Sequence, residues 1–383
     1  MSLKTLSLRN FKSVEDLTLP LEPLTVLTGL NGSGKSSVLQ AIALIKQSLD
    51  ADPSGTHLAL RGPWLHLGRS DDVLFEGEKA DTLGLALQTD GGTISWQCDA
   101  PSGLDTLNAS LTGDITLLEK TFSGFQFIQA DRMTPAIQYE QAGSVDRDRG
   151  SLGPRGEYTV DYLSRHEDTR VSPIRRYPES RLRSNEDREL MRSIAPTASL
   201  WDVTTAWLQL LSPGVRPVAK PLELADAATL RFEYKGYKDI QRDVASREHR
   251  PSNVGFGLTY SLPIIVACLS AEPGSLLLLE NPEAHLHPRG QSALGLLLSL
   301  CAMDGVQIIV ETHSDHVVNS IRLAAKRKDI SPENVAVHFF TRSVETGIST
   351  CESPVLLDNG RFSDWPSGFF DEWGNALDEL LED

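Results

Sequence analysis

The sequence predicts an α/β protein of two lobes, one β-rich and one built on a doubly wound parallel sheet, with an inserted helical arm. Three observations carry this expectation. A complete phosphate-loop pattern, Gly29-Leu30-Asn31-Gly32-Ser33-Gly34-Lys35-Ser36, stands between the apolar run Leu24-Thr25-Val26-Leu27-Thr28 and the helix-forming run from Ser37 to Ile45. Two later apolar runs, Leu276 to Leu279 and Gln307 to Val310, are short enough for buried parallel strands, and each leads into polar chemistry. Between the phosphate loop and these runs, residues 147–192 hold eleven arginines, nine acids and no lysine, framed by Gly150, Gly153-Pro154, Gly156 and Ser212-Pro213-Gly214.

Taken in order, Leu3 to Leu8 alternates like a strand, so the nucleotide domain is expected to start at the first residue. The strand, loop and helix of the phosphate motif follow. Glycines let the backbone N–H groups turn inward around a phosphate, and the helix N-terminus adds partial positive charge. Lys35 is the residue to reach the β- and γ-phosphates, Ser36 the hydroxyl to ligate Mg²⁺, and Ser37 its support; Asn31, Gly32, Ser33 and Gly34 complete the cradle. By average residue frequencies the pattern arises by chance in roughly one chain of this length in a hundred. Leu83–Leu87, the Asp90-Gly91-Gly92 turn, Thr93–Gln97 and Phe125–Ile128 read as short antiparallel strands beside the first helix. The expected boundaries are 1–145 for the first lobe, 146–215 for the arm, 216–350 for the second lobe and 351–383 for a tail.

The second lobe carries the rest of the chemistry. Leu276-Leu277-Leu278-Leu279-Glu280-Asn281-Pro282-Glu283 is an apolar strand closed by carboxylates, which holds an acid rigidly where it can ligate Mg²⁺ directly or through water. Glu280 is the metal-side acid on this reading; two solvated acids after a core strand are the alternative. Val310-Glu311-Thr312-His313 puts His313 at the end of another buried strand, where it can sense a γ-phosphate or be an ordinary core histidine.

Composition bounds the function. The chain has 383 residues, 40% hydrophobic and 23% charged, and a formal net charge of -16, which repels a polyanion at long range and leaves only a local basic patch able to hold nucleic acid. Four cysteines, Cys98, Cys268, Cys301 and Cys351, lie far apart, which fits a reducing compartment. No apolar run is long enough to span a bilayer, so a cytoplasmic protein is expected. The interleaved acids make an internally paired face the favoured reading of the arginine-rich segment over nucleic-acid or partner binding. His285 and His287, beside Glu283, raise a metal reading with no cysteine ligand near. The aromatic tail from Trp365 to Phe370 is read as packing onto the second lobe.

The set of Asn10-Phe11-Lys12-Ser13, the Gly29 to Ser37 loop, Glu280 to Pro288 and Glu311 to His316 resembles the ATP-binding-cassette class of chromosome-maintenance and overcoming-lysogenization-defect ATPases. Ser252 to Gly257 and Gly360 to Asp371 resemble a bacterial subfamily of that class with a C-terminal domain of unassigned function. The resemblance implies a phosphate-loop ATPase that binds ATP and Mg²⁺ and closes head to tail into a homodimer, with larger assemblies open. It implies that Gly255 and Gly257, before the apolar run Leu258 to Leu269, cap the γ-phosphate held by the other copy; a plain packing turn is the alternative. It makes His313 the switch histidine and His285 to Pro288 the coupling loop, and sets Arg9 to Lys12 near the base or ribose. It further implies the sensor or motor subunit of a bacterial antiphage defence system with a separately encoded effector. A DNA-repair or chromosome-maintenance ATPase, or a nucleotide-gated scaffold, is the alternative. The chain after His313 is too short for the nuclease domain of the lysogenization-defect proteins, so DNA cleavage by this chain is not expected.

One position departs from the class. Where most cassette ATPases place a second carboxylate to polarise water, this chain has Asn281, whose amide orients water but takes no proton. Glu283 is the expected base, with slow hydrolysis. Glu283→Gln and Asn281→Glu should therefore move phosphate release in opposite directions; an unchanged rate in both, measured with malachite green, removes the assignment.

Overall fold

A computed structural model describes residues 2–76, 81–182, 184–234, 247–366, 368 and 379–381. The chain divides into two compact units, the first made of residues 1–121, 309–318 and 322–383, the second of 122–308 and 319–321.

In the first unit, β1 (Leu3–Phe11), β2 (Val14–Pro20), β3 (Leu24–Gly29), α1 (Lys35–Ala51), β4 (His57–Ala59), α2 (Ser70–Val73), β5 (Thr82–Thr89), β6 (Gly92–Asp99), β7 (Thr106–Thr112) and α3 (Thr116–Thr121) follow one another. An antiparallel sheet in the order β2-β1-β5-β6-β7-β4 is its β-rich part. Alternation sets its register: Leu6 and Leu8 of β1 lie opposite Leu87 and Leu85 of β5, and all four are buried. The Asp90-Gly91 hairpin turn joins β5 to β6 with Thr89 opposite Gly92, as expected from its residues. β3 is buried along nearly its whole length, the pattern of a parallel strand covered on both faces.

The second unit contains β8 (Gln126–Ile128), β9 (Tyr139–Glu140), α4 (Ser144–Asp148), α5 (Thr159–Arg165), α6 (Asn185–Ile194), α7 (Leu200–Leu211), β10 (Val215–Leu222), β11 (Ala227–Tyr234), α8 (Phe256–Ser270), β12 (Leu276–Glu280) and α9 (Pro288–Met303). The chain passes back to the first unit within β13 (Gln307–Glu311), followed by α10 (Asp315–Lys326), β14 (Val335–Arg342) and β15 (Ser349–Glu352). There β14 runs parallel to β3, placing Phe340 opposite Gly29, and β15 pairs antiparallel to β14. The Thr312 amide donates to the Leu27 carbonyl at 3.0 Å, which seats the end of β13 beside β3.

One strand differs from expectation. Phe125 to Ile128 was expected to pair antiparallel beside the first helix, but β8 runs parallel to β12, Phe127 opposite Leu278. Three fully apolar or buried residues carry no alternation, so their partner is chosen by tertiary packing.

Residues 146–215 belong to the second unit rather than forming a body of their own. Their arginines are largely paired with the chain itself: Arg165 with Asp161 at 2.7 Å, Arg192 with Glu179, and the buried Arg175 with Asp304 at 2.7 Å. Arg183 lies outside the described residues. Trp207 of α7 anchors this region; it is 1% exposed, donates from Nε1 to the Arg175 carbonyl at 2.9 Å and meets the Tyr177 ring edge-on at 5.3 Å. In the tail, Trp365 and Phe362 both hold the Arg322 guanidinium over their rings at 5.3 Å, within the first unit; Phe369 and Phe370 lie outside the described residues. No helix among the described residues is long and apolar enough to cross a membrane.

Emptying the Trp207 site removes both packing and a satisfied N–H. Trp207→Ala should lower the stability of unfolding by about 3–5 kcal/mol, against a smaller loss for Trp207→Phe, as read by urea denaturation.

Candidate nucleotide site

The first unit builds the phosphate cradle from the loop that joins β3 to α1. Glycine is compulsory at its start: a Cβ on Gly29, at φ 135°, would sit 2.1 Å from the Phe340 carbonyl of the adjacent strand. Gly34, at φ 101°, is similarly restricted by the Ser349 and Ser13 hydroxyls, which hydrogen-bond to each other at 2.7 Å. Gly32, at φ 74°, faces open space instead. α1 begins at Lys35 with no side chain capping it, so its leading amides keep the anion-binding character of a helix start.

The side chains fit a phosphate group. The Ser33 hydroxyl is buried with no hydrogen-bond partner, an uncommon condition that a ligand oxygen would relieve. Lys35, 2% exposed, donates from Nζ to the Leu30 carbonyl at 2.7 Å and the Gly29 carbonyl at 3.1 Å. Its charge is met by Glu311 at 3.8 Å, also buried. This acid has no place in the sequence-based site, although its signal was present: Gln307-Ile308-Ile309-Val310-Glu311 is an apolar run closed by glutamate, as is Leu276 to Glu280. The neighbouring His313 accounted for the motif, and only the approach of β13 to β3 reveals the role of Glu311.

His313 follows two residues later. Burial, then the Lys35 charge, push its pKa below the usual imidazole value, and a hydrogen bond to the Gly29 backbone pulls it partly back. The ring is thereby favoured neutral near pH 7, able to accept as well as donate. Lys12 hydrogen-bonds Gln40 of α1, and its amide donates to Val73 at 2.8 Å.

The second unit carries the acids at the end of β12. One Glu280 carboxylate oxygen accepts from the Ala130 amide at 3.0 Å. Asn281 has φ 42° and His285 φ 64°, two left-handed residues in one short turn. Asparagine tolerates that conformation better than glutamate, which gives the departure at 281 a backbone reason beside any chemical one. Glu283 is 8% exposed. The turn is closed by the Ala284 amide donating to Asn281 at 3.1 Å and the Leu286 amide to Glu283 at 3.0 Å. His287 caps α9 by accepting from the Arg289 amide at 3.3 Å, while the His285 ring packs on Tyr260 at 4.7 Å and Phe256 at 5.8 Å.

Gly255 stands at the N-cap of α8 with open space around it, and Gly257 follows in the first turn. A Cβ on Gly257 would lie 2.6 Å from the His285 carbonyl, so close packing within the unit already requires glycine there. Arg132, four residues past the end of β8, is fully buried beside the acid turn.

His313 and the buried His338, whose pKa is also lowered chiefly by burial, bind fewer protons folded than unfolded. Stability should therefore be fully present above about pH 6.5 and decline as pH falls below it towards the lowered values. His313→Gln should flatten its own part of that decline in urea midpoints measured from pH 7.5 to 5; an unchanged slope rules out the contribution.

Three family models match the chain: "AAA ATPase domain" over residues 1–85, "AAA domain, putative AbiEii toxin, Type IV TA system" over 211–319, and a protein family of unknown function (DUF3696) over 330–380. A curated relative named OLD nuclease, from Thermus scotoductus, is 51% identical over 43 residues, which span 11% of this chain and only 8% of that protein. Among solved structures, an Smc head bound to the C-winged-helix domain of ScpA matches with TM-score 0.52 and 17% identity, covering 93% of this chain and 98% of that one. An Smc head with an extended coiled coil, bound to the C-terminal domain of ScpA derived from Pyrococcus furiosus, matches with TM-score 0.50 and 15% identity over the full length of both chains. The fold is that of these heads, mixed α/β with parallel and antiparallel sheets, and two parts of the chain, 1–85 and 211–319, match AAA ATPase domain models.

Proposed function

We propose that this chain hydrolyses ATP, that two copies close on the nucleotide, and that it is the cytoplasmic sensor or motor subunit of a bacterial antiphage defence system with a separately encoded effector. One observation carries the nucleotide reading: the buried, unpartnered Ser33 hydroxyl in the same loop as the buried Lys35. A buried hydroxyl without a partner is uncommon, and a phosphate oxygen would supply one. The match to a domain of the putative AbiEii toxin type supports the defence setting, and the ScpA domains bound to the similar Smc heads support a protein partner.

Roles are assigned residue by residue. Asn31 to Ser37 would cradle the phosphates, with Lys35 on the β- and γ-groups. Ser36 and Glu280 would hold Mg²⁺, which supplies neutralising charge on the phosphate oxygens. Glu283 takes the proton of the attacking water and Asn281 orients it. His313, kept neutral, bonds the γ-phosphate, and Gly255 and Gly257 offer the start of α8 to the nucleotide held by a second copy. The similarity to Smc heads favours a second reading, DNA repair or chromosome maintenance.

The test uses the full chain. ATP-dependent phosphate release should fall by about 100-fold in Lys35→Ala, the scale of losing one preorganised charge at a reacting group. Sedimentation should show an ATP-dependent dimer that Glu283→Gln stabilises. Absence of both release and ATP-dependent dimerisation overturns the proposal; strong stimulation by duplex DNA favours the repair reading, and tight binding with no release favours a nucleotide-gated scaffold.

A further inference from the structure

Arg132 has no exposed surface, and its hydrogen-bond partners in the second unit are main-chain carbonyls. One terminal nitrogen donates to the Glu280 carbonyl at 2.7 Å and to Gln129 at 3.3 Å; the other donates to the Asn281 carbonyl at 2.8 Å. The guanidinium also lies over the Tyr260 ring at 5.3 Å. Burial lowers its pKa to about 10, opposed by the charges of Glu283, then Tyr260 and Glu280. It still stays protonated at neutral pH. A desolvated guanidinium is an expensive way to fill space that an apolar side chain fills more cheaply.

The two carbonyls define what this arginine does. They belong to the peptide groups on either side of the Asn281 Cα, so the fork holds both planes whose relative rotation is the φ and ψ of Asn281. That residue sits at φ 42°, a conformation unfavourable for most side chains, and it aims the turn that carries Glu283. Lysine, a point charge, cannot bridge two carbonyls with one planar group. Tyr260 extends the contact: its ring meets Arg132 on one side and His285 at 4.7 Å, and the His285 carbonyl is the atom under which Gly257 packs.

We propose that Arg132 is a positioning residue for the acid turn, fixing the backbone at Asn281 and thereby the aim of Glu283. Tyr260 ties this clamp to the start of α8. The inference rests on the ATPase reading for its kinetic consequence but not for its structural one.

The experiment pairs Arg132→Lys, which keeps the charge and loses the fork, with Arg132→Gln, which loses both. Hydrogen exchange is read in nucleotide-free protein over the peptide containing the Ala284 and Leu286 amides, which are bonded to Asn281 and Glu283. Both variants should exchange there roughly tenfold faster or more, the scale of one lost charge-assisted hydrogen bond. In steady-state assays kcat should fall about tenfold in the lysine variant with KM for ATP within about twofold, the pattern of a group that acts only on the transition state. Unchanged exchange in both variants, or an unchanged kcat with a raised KM in the lysine variant, overturns the proposal. Should wild type release no phosphate, the ATPase reading fails while the exchange result still decides Arg132; should Arg132→Gln not fold, exchange and KM against kcat in the lysine variant decide it.

Discussion

The ammonium of Lys35, almost wholly removed from water, is the constraint around which the first unit is arranged. A bare buried cation costs several kcal/mol, and here the cost is met by two carbonyls of its own loop and by Glu311 at 3.8 Å. Each partner fixes something else. The carbonyl of Gly29 is available because the loop leaves β3 through a left-handed glycine pressed against Phe340, and Glu311 is available because β13 ends beside β3. The same positive charge helps keep His313 neutral two residues beyond Glu311. An isolated element could not hold this group; only a strand pairing that brings 311 to 35 makes it tolerable.

The second unit solves a related problem with a different cation. Arg132 is deeper than Lys35, and its partners are peptide carbonyls, whose dipoles are weaker than a carboxylate but rigidly placed. The consequence is geometric. Two left-handed residues, Asn281 and His285, are stacked into one turn whose carbonyls point at fixed donors. Asn281 thus has two explanations that coexist. Its amide changes the chemistry available at the end of β12, and its backbone is one that asparagine adopts at lower cost than glutamate.

Much of this was legible in the residues. The phosphate loop announced itself because glycine spacing, lysine and serine are dictated by phosphate geometry, and the flanking strand and helix appear where the motif needs them. The hairpin of β5 and β6 was visible in its alternation and its Asp90-Gly91 turn. Glu280 and His313 were visible as polar residues closing apolar strands. Glu311 was hidden by His313, two residues on, which accounts for a polar end to the strand by itself. The parallel pairing of β8 was missed because three buried residues show no period. Gly257 was read through its resemblance to a ligand loop, while its packing under His285 involves a carbonyl nearly thirty positions away.

Local chemistry and periodicity therefore determined the nature of the protein: an α/β chain with a phosphate loop, an acid-tipped apolar strand and a histidine just past a second one. Those features depend on short-range spacing, which the order of residues states directly. Tertiary structure alone decided which charge answers which, Glu311 for Lys35 and paired carbonyls for Arg132, and which partner β8 takes. Such pairings join residues far apart in the chain, and their energies depend on exclusion of water that no local pattern records.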